Sequence, residues 1–370
     1  MRKLLNIAIL LLASAVHLSA EENKTGKEVN FVYDVDFETN FDNREFYRSR
    51  YSNSMTIFGA RLTPAIGFEA TDRNGASHRI MAGIDVMKDF GAQNTDPGSL
   101  IKEMTLYYRL EKKFGDTEMS MYAGIFPGRK MEGRYSQAFI SDSLRFYDTN
   151  LDGLLLKFRR PKAYFEVSCD WIGQYGDGCR ERFMVYSGGE GQIASILSVG
   201  YAGYMYHFAN SRQVSGVVDN ILIDPYARFD LGHLTGFQTL SFTLGYLQAF
   251  QHDRKNVGHY VFPGGVHLDM ELRKWNASIR NMTYYGTDIM PYYNSHDSGG
   301  IKYGNELYFG DPFFRVHDDG KKGAGTYDRL EFNYEPAIGK FVTLKISAIF
   351  HFNNFSYSGF QQMVGVNVTF

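Results

Sequence analysis

The sequence predicts an all-β fold: a transmembrane, antiparallel, up-and-down β-barrel of about 16 strands, with 14 to 18 as the range. Three observations carry that prediction. First, side-chain character alternates with a period of two along most of the chain. In Val342–Phe352 every even position is apolar, whereas the odd positions from Phe341 to His351 read Phe, Thr, Lys, Ser, Ile, His. Alternate side chains of a strand face opposite ways, so such a segment offers one face to lipid and one to water. Second, mean hydropathy is below zero, and no apolar run after Ala20 has the length of a spanning helix. Third, the chain closes on an alternating segment whose even positions from Phe360 to Phe370 read Phe, Gln, Val, Val, Val, Phe.

At the other end, Arg2 and Lys3 precede a mostly apolar stretch, Leu4 to Val16, and Leu18-Ser19-Ala20 is a small-residue cleavage site. Residues 1–20 are therefore expected to be a signal peptide. No Cys follows at the cleavage point, so no lipid anchor is expected. Residues 21–29 read as a short periplasmic segment, too short for a plug domain, and 30–370 as a single barrel domain. Phe370 looks like the mark by which the bacterial assembly machinery recognises the last strand of an outer-membrane barrel.

Composition narrows the partners. Loss of Arg2 and Lys3 leaves 37 basic against 41 acidic residues, a net charge of about −4, so no basic surface calls for nucleic acid. The 26 Tyr and 30 Phe, against two Trp, suit aromatic girdles at the bilayer interfaces, where lipid and lipopolysaccharide are the neighbours. Cys169 and Cys179 are equidistant from Gln174. A hairpin centred there sets them opposite each other, which makes them a disulfide candidate; two buried free thiols are the other reading.

Alternation and turn residues place strands at 30–42, 53–70, 77–90, 100–114, 117–126, 151–160, 162–173, 179–187, 192–208, 221–230, 237–250, 263–273, 275–287, 324–335, 340–353 and 360–370. The eighth is drawn on topology. With it the connections sort into short ones on one rim, 188–191 among them, and mostly longer ones on the other, the arrangement of bacterial barrels. A barrel of this size leaves an aqueous lumen. The third long connection, 127–150, is the candidate to narrow it. It carries Arg129, Lys130, Arg134 and Arg145 beside Glu132, Asp142 and Asp148.

Sixteen strands, no plug and a long third loop resemble the general and substrate-selective bacterial porins. The resemblance implies an outer-membrane location, a third loop folded inward as the constriction, and a homotrimer. It covers the architecture of the whole mature chain, with no shared sequence motif. Strand parity then assigns lumen charges: Lys157, Arg159, Arg180, Arg182, Arg109, Arg228, Arg273, Arg280 and Arg329, against Glu69, Asp85, Glu103, Glu111, Glu166, Asp269, Glu271 and Glu331. Facing charges of opposite sign favour small polar solutes, and the basic group leans towards anions or sugars. Alternatively, these charges only solvate the wall. Tyr107-Tyr108, Tyr284-Tyr285 and Tyr292-Tyr293 are stacking candidates, with girdle positions as the plainer reading.

The expected function is thus passive diffusion, with no enzymatic activity and no cofactor. A barrel hydrolase is one alternative, on His252-Asp253, His296-Asp297 and His317-Asp318 with nearby Ser298. A structural or polysaccharide-export barrel is another. Asp297-Ser298-Gly299 and Asp318-Asp319-Gly320 supply oxygens for Ca²⁺ without the full spacing of a known calcium loop.

Overall fold

The structure, a computed structural model, describes residues 29–47, 49–92, 100–317 and 323–370. The expected signal peptide, Asp318 and Asp319 lie outside the described residues. Among the described residues seventeen strands are present: β1 (Val29–Phe46), β2 (Met55–Thr71), β3 (Ser77–Asp89), β4 (Ile101–Phe114), β5 (Thr117–Pro127) and β6 (Asn150–Arg160). Next come β7 (Ala163–Gly173), β8 (Arg182–Ala194), β9 (Leu197–Phe208), β10 (Val218–Asp230), β11 (Thr239–Asp253) and β12 (Gly264–Lys274). Last are β13 (Ala277–Gly286), β14 (Gly325–Tyr334), β15 (Ala337–Ile338), β16 (Val342–Asn353) and β17 (Ser356–Thr369). The two-residue β15 only extends the ladder beside β16. The wall is therefore sixteen-stranded.

Each long strand pairs antiparallel with its neighbour in sequence, and β1 also pairs with β17, with Asp36 opposite Thr369 and Phe46 opposite Gly359. That pairing leaves no free edge, which a bilayer demands because nothing there can satisfy an open ladder. The terminal residue joins in: Phe370 N donates to Val35 O at 2.9 Å, and its ring packs on Phe341.

Alternation decides the faces. Met104, Leu106 and Leu244 are more than half exposed on the outside, while Met81, Phe126 and Leu155 are fully buried inside. An exposed apolar band around a closed barrel faces lipid. Short turns gather on one rim with the chain ends, and the long loops occupy the other.

The expected eighth strand, 179–187, is corrected to Arg182–Ala194, so 188–191 is strand and the turn falls at 195–196. Glycine signalled a turn here, but in a strand it also marks close approach of another backbone. A Cβ on Gly188 would lie 3.2 Å from the Cα of Gly133, in the third loop. Gly188 makes room for that loop.

Candidate functional site

The third loop, residues 128–149, folds into the lumen because its apolar residues find partners there. Ala138 and Phe139 are fully buried; Phe139 meets Tyr204 edge-on and Tyr135 meets Tyr186. Ser141 caps a helical turn, Asp142–Tyr147, by accepting from Leu144 N. A second segment, 287–317, also enters the lumen, which sequence reading missed. Its Tyr303, Leu307, Tyr308, Phe313 and Phe314 are buried against inward aromatics of β9–β14. The apolar density of 303–316 was the available signal. The two segments join through Asp311 N to Gln137 O at 2.7 Å and Ser141 N to Phe309 O at 2.9 Å.

Their ionic link is Arg329 on β14, only 3% exposed. It reaches Asp142 at 2.6 Å, Glu331 at 2.6 Å and Asp311 at 3.7 Å. Burial alone would raise the Asp142 carboxyl, but the Arg329 charge and hydrogen bond hold it well below the usual range. For Asp311 burial wins, and its carboxyl is pushed up to about 6 despite Arg329.

The expected constriction residues divide. Arg129, Arg145 and Asp148 line a cavity of ≈ 350 Å³ between the third loop and the wall, with Asp36, Glu38, Arg61 and Asp170. Lys130, Glu132, Arg134 and Asp142 do not. Glu132 instead accepts from Lys157 at 2.7 Å and from Arg159. Burial alone would raise the Glu132 carboxyl, yet those two hydrogen bonds hold it below the ordinary range. Glu166 accepts from the backbone N–H groups of Glu132 and Gly133 at 2.7 and 2.8 Å, so it ties the loop down. Arg129 pairs with Asp36, Arg109 with Glu69 at 3.0 Å, Arg182 with Glu306 at 3.8 Å, and Glu103 accepts from Asn150 at 2.8 Å.

Two placements differ from expectation. Arg180 precedes β8 and pairs with Asp297 while lying over Phe208, so it anchors loops and does not line the wall. Cys169 and Cys179 are not bonded: Cys169 stands opposite Val185, because the hairpin centres near 177 and not at 174.

Among the described residues neither His252-Asp253 nor His296-Asp297 forms a pair; the Asp318 of the third dipeptide lies outside them. Adjacent residues of a strand point to opposite faces. Asp253 turns inward to accept from Tyr303, while His252 turns outward to Asp219 at 3.8 Å. Asp297 serves Arg180 and its own turn through Gly299 N and Ile301 N, which uses the oxygens a Ca²⁺ would need. Ser298 bonds Ser215 O.

Tertiary structure builds two histidine sites instead. On the outside, at the long-loop rim, Asp219 stands directly between His207 and His252 in the strand register. It accepts from Arg254 at 2.7 and 2.8 Å and from Tyr260 at 3.1 Å. His207 stacks on Phe183, which stacks on Trp171, an aromatic ramp across β7–β9. Inside, His267 on β12 meets Asp224 on β10 at 2.7 Å, both buried. Spacing 43 residues apart gives no local signal for that pair.

Comparison with known proteins gives two findings. A family model described as Lipid A 3'-O-deacylase-type matches residues 24–207. No curated protein matches. Among solved structures, a loop-deletion variant of the outer-membrane protein OmpT of Vibrio cholerae is similar with TM-score 0.55 and 11% identity, over 92% of this chain and 99% of that one. Pseudomonas aeruginosa OccK3 (OpdO) gives 0.51 and 9%, over 92% and 96%. A variant of OccD1 (OprD) gives 0.52 and 9%, over 92% and 95%. At such identity the likeness shows the fold alone. The family match overturns the expectation of a non-enzyme, since that family is one of enzymes. Sequence reading reached the wrong answer because the porin architecture has no bearing on what chemistry a rim or lumen carries. The fold is the sixteen-stranded outer-membrane porin barrel, and half of its wall resembles an acyl-ester hydrolase family.

Proposed function

We propose that this chain is an outer-membrane barrel that hydrolyses an acyl ester of an outer-leaflet glycolipid, lipid A being the substrate in the matching family's name. The match over residues 24–207 carries this reading. A lipid substrate presents its esters near headgroup level, so the residues that act on it face outwards at the long-loop rim. The His207–Asp219–His252 cluster stands there. His252 Nε2 meets Val257 O at 2.8 Å, which fixes the ring beside Asp219. A histidine so placed can move a proton to or from the reacting ester, and Arg254 supplies positive charge for a phosphate. The test is release of fatty acid from lipid A by the full-length protein in micelles, followed by mass spectrometry. His252→Ala is expected to lower it about 10²-fold or more. Unchanged release would remove these residues, and no release by the unaltered protein would remove the reading.

A second reading, a diffusion channel for small polar solutes narrowed by the third loop, is favoured by one observation. The ≈ 350 Å³ cavity has Arg61, Arg129 and Arg145 together with Asp36, Glu38 and Asp148 around it. Planar-bilayer recording tests it: stable open steps whose ion selectivity shifts on Arg129→Gln support it, and an electrically silent barrel ends it.

A further inference from the structure

We propose that a second lumen cavity, bounded by β10–β13 and the third loop, is a hydrolytic site for a small, water-soluble anionic ester. His267 is its general base and Asp224 the residue that positions it. The proposal goes beyond the rim reading, because His267 and Asp224 lie on the opposite, lumen-facing side of the wall.

The pair is built for. His267 Nε2 and Asp224 Oδ1 are 2.7 Å apart, although β11 runs between their strands. Gly245 makes the span possible: a Cβ there would sit 2.2 Å from His267 Nε2 and 2.6 Å from Asp224 Oδ1. The carboxylate fixes the tautomer with hydrogen on Nε2, which leaves the Nδ1 lone pair available. His267 lines the cavity, and among the described residues its Nδ1 has no hydrogen-bond partner. A wall-bracing role accounts for the bonded nitrogen and leaves the open one unexplained.

The cavity, ≈ 330 Å³, sets the substrate class. Arg134 and Arg145 of the third loop line it, and among the described residues neither has a carboxylate within ion-pair distance. The acids of the same cavity are committed: Asp224 to His267, Asp269 to Arg280 and Glu271 to Arg273. Two guanidinium groups without an ion-pair partner among the described residues favour an anion. The volume admits a small molecule and not a multi-chain glycolipid.

In the step itself, Nδ1 takes a proton from water as the water oxygen forms a bond to the ester carbonyl carbon. The carbonyl π pair moves onto its oxygen beside a guanidinium. Collapse restores the carbonyl and breaks the bond to the alcohol oxygen, which leaves with the proton from Nδ1. Water and ester become acid and alcohol, with no redox change.

The experiment uses the full-length barrel in detergent micelles with 4-nitrophenyl hydrogen succinate as anionic probe and 4-nitrophenyl acetate as its neutral counterpart. The expected result is turnover that prefers the anionic ester. His267→Gln is expected to lower kcat at least about 10²-fold, and Arg134→Gln to raise KM with kcat retained. Turnover by His267→Gln within threefold of the unaltered protein overturns the proposal. Should that variant not assemble, the unaltered protein decides: a preference for the neutral ester overturns it equally. The rim reading is judged separately. Acyl release from lipid A without succinate-ester turnover sinks the lumen site alone, and the converse sinks the rim site alone.

Discussion

Replacement of Arg329 by Met is predicted to release both inward segments without unfolding the barrel. Arg329 is the shared counter-ion of Asp142, Glu331 and Asp311, at 2.6, 2.6 and 3.7 Å. Methionine approximates the stem length and removes the charge, which leaves three largely buried carboxylates without their cation. Breaking a buried pair from one side costs about 3–5 kcal/mol. At about 1.4 kcal/mol per decade, the docked-to-undocked ratio falls roughly 10²- to 10³-fold. The wall ladders do not involve the Arg329 side chain, so heat-modifiable mobility and β-content should persist. Asp142→Asn removes one acceptor while Glu331 and Asp311 keep the cation, and is expected to cost less, about 1.5–3 kcal/mol. The assay is tryptic cleavage of the folded protein in micelles, read at Arg134 and Arg145. When opening is fast relative to cleavage, the cleavage rate tracks the undocked population. An Arg329→Met rate within threefold of the unaltered protein would refute the idea that this cluster holds the loops in place.

Docking of the loops should also depend on pH in two opposed ways. The Asp311 folded value, about 6, lies above the ordinary 3.8, so its contribution to docking is full below 3.8 and lost as pH rises through 6. Asp142 is depressed, so its contribution is present above the ordinary 3.8 and fades as pH falls towards its folded value. Hydrogen exchange across 128–149, corrected for intrinsic rate, should therefore slow from pH 7 to 5 and quicken below about 4; a monotonic trend would contradict both assignments. On the outside, Leu244→Arg should destabilise the barrel by about 2–4 kcal/mol in urea unfolding from vesicles, as for a charge at mid-bilayer, whereas Thr243→Arg, one residue away on the lumen face, should not. Both cysteines should react with a thiol reagent once the protein is unfolded without reductant, since Cys169 and Cys179 are free; failure to label would restore a disulfide.

The wall was legible because its cause is local. Two-residue periodicity, the positions of turns, and the length asymmetry between the two rims come from neighbours in sequence, and the bilayer forces such strands to close. The glycines at 188–191 misled for the same reason: locally they resemble a turn, whereas they pair with β7 and β9, and Gly188 admits Gly133 and Tyr135 of the third loop. Inward charges were found by parity, but not their partners. Whether Glu166 lines a pore or clamps the backbone of Glu132 depends on where a loop 33 residues away comes to rest.

By itself, then, the sequence determined the barrel, its strand count and which face of each strand meets lipid, since alternation is written residue by residue. Tertiary structure alone decided that segment 287–317 packs against the inner wall, that His252 answers to Asp219 and not to Asp253, and that His267 reaches Asp224 across Gly245. Those contacts join residues on different strands. Their geometry is set by barrel curvature and loop packing, which no local pattern encodes.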